Sequence, residues 1–269
     1  DLVMTSACDD ARCGRTGFRV YPSTASGFGP AVRFALPAVA QTPGCASFAL
    51  VDVDGDLLAD LVATSLCTDA TVGSSQWLVF RNVGGNFDTA GASFALPPAA
   101  APGSYPSIEV GAATCTANKP AYAFYDLTGD RKPDFVVTTA CDDASVGVTH
   151  WRVYPGTGTG VGAALSFEVP GAGDFYAPLA GTRLCQGALA APSYAVTYFD
   201  ADFAPDLVVT ESCGDSAAGS AHWLVYPNQK TSFAQTPATV SLPSFAGAPL
   251  DAFAAASGTT ACTTGKLTY

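Results

Sequence analysis

The sequence predicts an all-β chain: a β-propeller of four four-stranded repeats, its ring closed by the C-terminal strand joining the N-terminal blade. Three observations predict it. One segment recurs four times in register. Each copy breaks into short β-branched and aromatic runs separated by Gly, Pro, Asp and Asn. No capped stretch of helical period and useful length interrupts them.

The repeat is read first, because a fixed period decides the architecture. Asp1-Leu-Val-Met-Thr-Ser-Ala-Cys8 returns as Asp60–Cys67, Asp134–Cys141 and Asp206–Cys213. An acid follows two residues after each Cys: Asp10, Asp69, Asp143 and Asp215. Gly14, Gly73, Gly147 and Gly219 come next, then the aromatics Phe18, Trp77, Trp151 and Trp223. The whole chain, 1–269, reads as one domain of repeats 1–59, 60–133, 134–205 and 206–269. In the second repeat the expected strands are Phe48–Asp52, Leu61–Thr64, Trp77–Phe80 and Ser93–Leu96. These runs are apolar on both faces, as strands between neighbouring sheets must be. The last residues, Gly265–Tyr269, match the first strand of another repeat, Ala121–Tyr125, and so are expected to complete the first blade.

Composition limits the function. The chain has 269 residues, 48% hydrophobic and only 13% charged, the reverse of a disordered chain. Acids outnumber bases 23 to 12, giving a net charge of -11. That field repels phosphates, so no nucleic-acid partner is expected, and cations are favoured. No apolar run approaches the ~18 residues of a membrane helix, so no membrane insertion is expected. The chain starts at Asp1 without Met or a leader, as a mature product or a fragment would.

The acids have an address. Between the first two strands of the second repeat lie Asp52, Asp54, Asp56 and Asp60, at positions 1, 3, 5 and 9 of a tight turn with Gly55 at its bend. Oxygen ligands in a flexible loop suit Ca²⁺. The third repeat offers Asp126, Thr128, Asp130 and Asp134. The fourth offers Asp200, Asp202 and Asp206 in a loop two residues shorter. The alternative is an acidic turn held by its own hydrogen bonds.

The stretch Asp52-Val-Asp-Gly-Asp-Leu-Leu-Ala-Asp-Leu-Val62, with Val79-Phe-Arg-Asn82 and Gly85-Asn-Phe87 after it, resembles the FG-GAP/VCBS repeat. That repeat builds the propeller of integrin alpha chains and of many bacterial surface proteins, and some fungal propeller lectins use similar units. The resemblance implies Ca²⁺ in the turn between the first two strands of a blade.

Nine cysteines suggest an oxidising compartment, secreted or at the cell surface. Hairpin geometry favours Cys45–Cys67, Cys115–Cys141 and Cys185–Cys213 across the turns, and Cys8–Cys262 between the chain ends, over pairs within a repeat. Cys13 stands where Val72, Val146 and Ala218 stand elsewhere, and reads as a small buried hydrophobe.

No nucleophile elbow, phosphate loop or metal-His cluster is present, so the chain is read as a binding protein and not an enzyme. A flat aromatic beside polar groups suits a sugar. The candidate ligand residues are Asp69 with Trp77, Asp143 with His150 and Trp151, and Asp215 with His222 and Trp223. The competing reading makes these aromatics core and these acids turn residues. The partner expected is a glycan or an extracellular protein. A structural module of a larger assembly is the alternative, and a hydrolase the remote one.

Overall fold

The computed structural model describes residues 1–41, 46–98, 103–110, 113–171, 176 and 192–243. The fold is all-β, of propeller type, with four antiparallel blade sheets and two short 3₁₀ turns, Ala38–Gln41 and Cys115–Ala117. The strands are β1 (Leu2–Met4), β2 (Gly17–Tyr21), β3 (Ser23–Thr24), β4 (Gly27–Phe28), β5 (Val32–Ala35), β6 (Ala46–Val51), β7 (Asp60–Leu66), β8 (Gln76–Phe80) and β9 (Ala92–Ala95). They continue as β10 (Ala121–Tyr125), β11 (Asp134–Thr139), β12 (His150–Tyr154), β13 (Leu165–Glu168), β14 (Ser193–Thr197), β15 (Asp206–Glu211), β16 (His222–Tyr226) and β17 (Ala238–Ser241).

The last three blades run β6-β7-β8-β9, β10-β11-β12-β13 and β14-β15-β16-β17, each strand beside its sequence neighbour. The second repeat's strands fall where the sequence places them, within about two residues at each end. The first blade differs. It pairs β1-β2-β5, with β3-β4 as a separate small ribbon. The strand expected to complete it, Gly265–Tyr269, lies outside the described residues.

The chain divides into two compact units, residues 1–108 with 157–161, and residues 109–156 with 162–269. In the first unit Phe18, Phe34, Leu61, Phe80 and Phe87 share a buried cluster. In the second, Trp151, Phe167, Tyr194, Leu207 and Phe233 do the same. The inner strands are buried on both faces: Asp60–Thr64, Asp134–Thr138 and Asp206–Thr210 are each buried at every position. This explains apolar runs without alternation.

The same turn recurs once in each of the four blades. Gly14, Gly73, Gly147 and Gly219 sit in the left-handed region, and each donates its N–H to the carbonyl three residues on, at 2.8–2.9 Å. In the second blade a Cβ on Gly73 would stand 2.5 Å from the Thr64 carbonyl oxygen. Only glycine allows both the dihedral and the approach.

Cys115 and Cys141 form a disulfide across the third turn, with a Cα–Cα distance of 5.2 Å. Cys67 and Cys213 are also disulfide-bonded. Cys45 and Cys185, expected as their partners, lie outside the described residues. Cys8 is exposed and free, and Cys262 is likewise outside the described residues. Cys13 is free and buried, and its thiol donates to the Met4 carbonyl at 3.2 Å, as a small core residue would.

A stability prediction follows from the turn glycine. Gly73→Ala should cost about 2 kcal/mol or more, because the strain and the backbone clash add. Gly84→Ala, at φ +79° but with open space around it, should cost about 1 kcal/mol from strain alone. Guanidinium denaturation compares them; equal losses would contradict the close approach.

Candidate functional site

Each carboxylate turn is organised around an Asp that opens the second strand. Asp60, Asp134 and Asp206 are buried. Asp60 accepts the N–H of Val53 (3.3 Å) and of Asn82 (2.8 Å). Asp134 accepts those of Thr128 and Gly156, both at 2.9 Å. Asp206 accepts those of Phe199 (3.2 Å) and Asn228 (2.8 Å). Asp1 takes the Ser23 N–H at 2.8 Å in the same way. Burial pushes the carboxyls of Asp60, Asp126 and Asp206 up from the ordinary value, against the N–H bonds that pull them down. Asp134 is pushed up to about 6 by the same cause.

The three turns then diverge. In the second, the carboxylates of Asp52, Asp54 and Asp60 lie within 4.8 Å of one another, the sole such cluster among the described residues. Asp52 also accepts the N–H of Gly55 (2.8 Å) and Leu57 (2.7 Å). Asp56, expected as a fourth ligand, stands outside that group and accepts the Leu58 N–H at 2.8 Å. Oxygen donors in this arrangement fit Ca²⁺. Arg81, however, makes an ion pair with Asp54 and lies 3.3 Å from Asp60.

In the third turn Asp126 accepts the N–H of Asp130 (3.0 Å) and Arg131 (2.7 Å), and the Thr128 hydroxyl donates to Asp134 at 3.3 Å. Lys132 lies 4.0 Å from Asp130. In the fourth, Asp200 and Asp202 accept N–H groups two residues on, from Asp202 and Ala204, both at 2.9 Å. Exposed Tyr198 and Phe203 flank this turn, and the Arg131 guanidinium lies 5.2 Å from the Phe203 ring centre. No sequence signal marked that aromatic pair.

The second group of candidates has a structural task. Asp10, Asp69, Asp143 and Asp215 each accept the N–H two residues on, at 2.9–3.0 Å. Thr71 and Ser145 hydroxyls add bonds of 2.6 Å to Asp69 and Asp143. These bonds hold all four carboxyls below the ordinary range. They are turn-forming Asx side chains. Trp77 and Trp151 are fully buried. Their indole N–H groups donate to the carbonyls of Tyr105 (2.9 Å) and Tyr176 (3.0 Å). They therefore offer no ring face to a sugar, which corrects the stacking role expected of them. Trp223 is half-buried. His222 lies 2.7 Å from Asp215.

His150 is placed differently. It lines a cleft of about 280 Å³ in the second unit with Thr149, Ser166, Glu168, Val169, Gly171 and Gln235. His150 and Glu168 face each other across β12 and β13. Thr149 fixes the ring through a 3.1 Å bond to Nδ1. Gln235 accepts the Gly171 N–H at 3.1 Å and donates to the Phe233 carbonyl at 3.1 Å, so its amide is held at the rim. Ser166, Glu168 and Gln235 were not legible as site residues; Gln235 comes from the following blade, 85 residues after His150.

No family model matches the chain, and no curated protein does. A solved Tc holotoxin pore from Photorhabdus luminescens is similar in structure, with a TM-score of 0.47 and 14% identity, over 84% of this chain and 9% of that one. A lectin from Agrocybe aegerita, described as recognising non-reducing terminal N-acetylglucosamine, is similar with a TM-score of 0.38 and 16% identity, over 85% of this chain and 47% of that one. The chain thus spans less than half the length of either. No helix among the described residues is long and apolar enough to cross a membrane.

The buried third-turn carboxyl predicts a pH effect. With its pKa raised from 3.8 to about 6, Asp134 binds its proton more tightly in the folded chain. Its contribution is full below the unfolded pKa and is lost as pH rises through about 6, a change of about 3 kcal/mol. In chelator, the melting temperature should therefore fall between pH 4 and pH 7 by more than in Asp134→Asn. Parallel profiles for the two would contradict this.

Proposed function

We propose that the chain is an extracellular FG-GAP/VCBS-type propeller module that binds Ca²⁺ in its carboxylate turns and recognises a glycan. The cleft at His150 carries the glycan reading. Its volume lies at the small end of ligand pockets, about the size of one or two sugar rings. Its rim presents an imidazole, a carboxylate, a hydroxyl and an amide, the planar and hydroxylic groups that pair with vicinal sugar hydroxyls. Binding is favoured over hydrolysis because Glu168 is the single carboxylate in the lining, and glycoside hydrolysis ordinarily calls for two.

Asp52, Asp54 and Asp60 would hold the ion in the second turn. Bound there, Ca²⁺ would add to the single positive charge that Arg81 brings to three carboxylates and would stiffen the turn. The disulfides at Cys67, Cys115, Cys141 and Cys213 support an oxidising, extracellular setting. A second reading, a structural module without its own small ligand, is favoured by the turn and core roles of Asp69, Asp143, Trp77 and Trp151. An extracellular protein would then be the partner.

A glycan array probed with the whole chain, with and without chelator, separates these readings. A defined sugar should bind, and Glu168→Gln should weaken it roughly tenfold or more, the loss expected for a charge-assisted hydrogen bond, at unchanged melting temperature. No binding across the array, or equal binding by the variant, would support the structural module.

A further inference from the structure

The turn whose carboxylates cluster is also met by an arginine from beyond the third strand. Arg81 Nη1 pairs with Asp54 and stands 3.3 Å from Asp60, while Nη2 donates to the Gly158 carbonyl. Its side chain is only 22% exposed, and that of Asp60 is 1% exposed. The ion pair is therefore less screened than a surface pair. At the matching position after the third strand, the other repeats have Pro22, Pro155 and Pro227, none of which carries charge or donates a proton. Arg81 is therefore particular to the repeat whose turn gathers three carboxylates within 4.8 Å.

We propose that Arg81 is the resident counter-ion of the second turn: it holds Asp54 and Asp60 when no metal is bound, and a divalent cation enters by displacing the guanidinium from Asp54. The proposal rests on the calcium reading of that turn. Two consequences follow from the geometry. Metal affinity is set by competition and is lower than the number of carboxylates suggests. Because the guanidinium is a rigid fork, moving Nη1 off Asp54 also disturbs the bond from Nη2 to Gly158, so metal entry loosens the 157–161 turn.

Calorimetric titration of Ca²⁺ into the whole chain, freed of metal, tests this with wild type, Arg81→Gln, Arg81→Lys, Asp54→Asn and Asp126→Asn. Asp54→Asn identifies the second-turn heat by abolishing it. Arg81→Gln should bind Ca²⁺ there about tenfold more tightly, since a charged hydrogen bond no longer competes. In chelator it should melt at a lower temperature than wild type, and Ca²⁺ should restore the loss. Arg81→Lys keeps the charge without the fork, so it guards against a misfolded variant and should bind with intermediate affinity. Amide exchange across Thr157–Val161 should rise on adding Ca²⁺ to wild type and be high already in Arg81→Gln. An Arg81→Gln affinity equal to or below that of wild type overturns the proposal. If a third-turn heat, lost in Asp126→Asn, persists in that case, the calcium reading stands without it. If no protein in the set takes up Ca²⁺, both fall.

Discussion

A buried carboxylate at the start of each second strand holds the blade in register. Asp60, Asp134 and Asp206 reach back to an amide of their own turn and forward to the amide just after the third strand. Each thereby ties three strands together through one side chain. A carboxylate in such a place is costly unless its oxygens are bonded. Here both oxygens are used by backbone N–H groups that the turns would otherwise leave without partners. The second turn's carboxylate cluster is shaped by the same clamp, because one of its three members, Asp60, is the clamp itself.

The repeat was legible because its period is written in residues that turns cannot do without. A left-handed turn needs the glycine, an Asx turn needs the acid, and a buried inner strand needs the apolar run. The same fact bears on the site reading. Asp69, Asp143 and Asp215 recur with the turn that each one holds. Trp77 and Trp151 recur because a returning segment seals each of them, through Tyr105 and Tyr176. Those tyrosines donate N–H bonds to Gly73 and Gly147 at 2.8 and 2.7 Å, yet they follow those glycines by 32 and 29 residues in segments of unequal length. With no fixed spacing, no period could reveal them. Arg81 was visible only as part of a strand motif, since its partners Asp54 and Gly158 lie 27 residues before it and 77 residues after it.

The acidic excess separates into two populations with opposite physics. Asp10, Asp69, Asp143 and Asp215 are held low by turn N–H groups. Their contribution is present above the unfolded pKa and is lost as pH falls. Asp60, Asp126, Asp134 and Asp206 are pushed up by burial, so at neutral pH they oppose folding unless a positive charge answers them. The second blade answers with Arg81, an internal charge that cannot be washed out. The third and fourth blades have proline at that position, and the third instead carries Arg131 and Lys132 within its turn, with Lys132 4.0 Å from Asp130.

The candidate cleft lies where the blades stop agreeing. The cross-strand pair at the head of the third and fourth strands is Gly17–Ala35 in the first blade, Gln76–Ala95 in the second and His222–Ser241 in the fourth. In the third it is His150–Glu168, the one blade that sets a carboxylate opposite an imidazole. These positions lie outside the glycines, Asx acids and buried strands that hold the repeat, so they vary at little cost to the fold. In the third blade the pair opens on a cleft whose rim Gln235 is fixed by two backbone bonds. The frame and the His150 cleft thus occupy different residues of one repeat: the frame recurs because turn chemistry admits few substitutes, and the cleft forms where the third blade departs from the others.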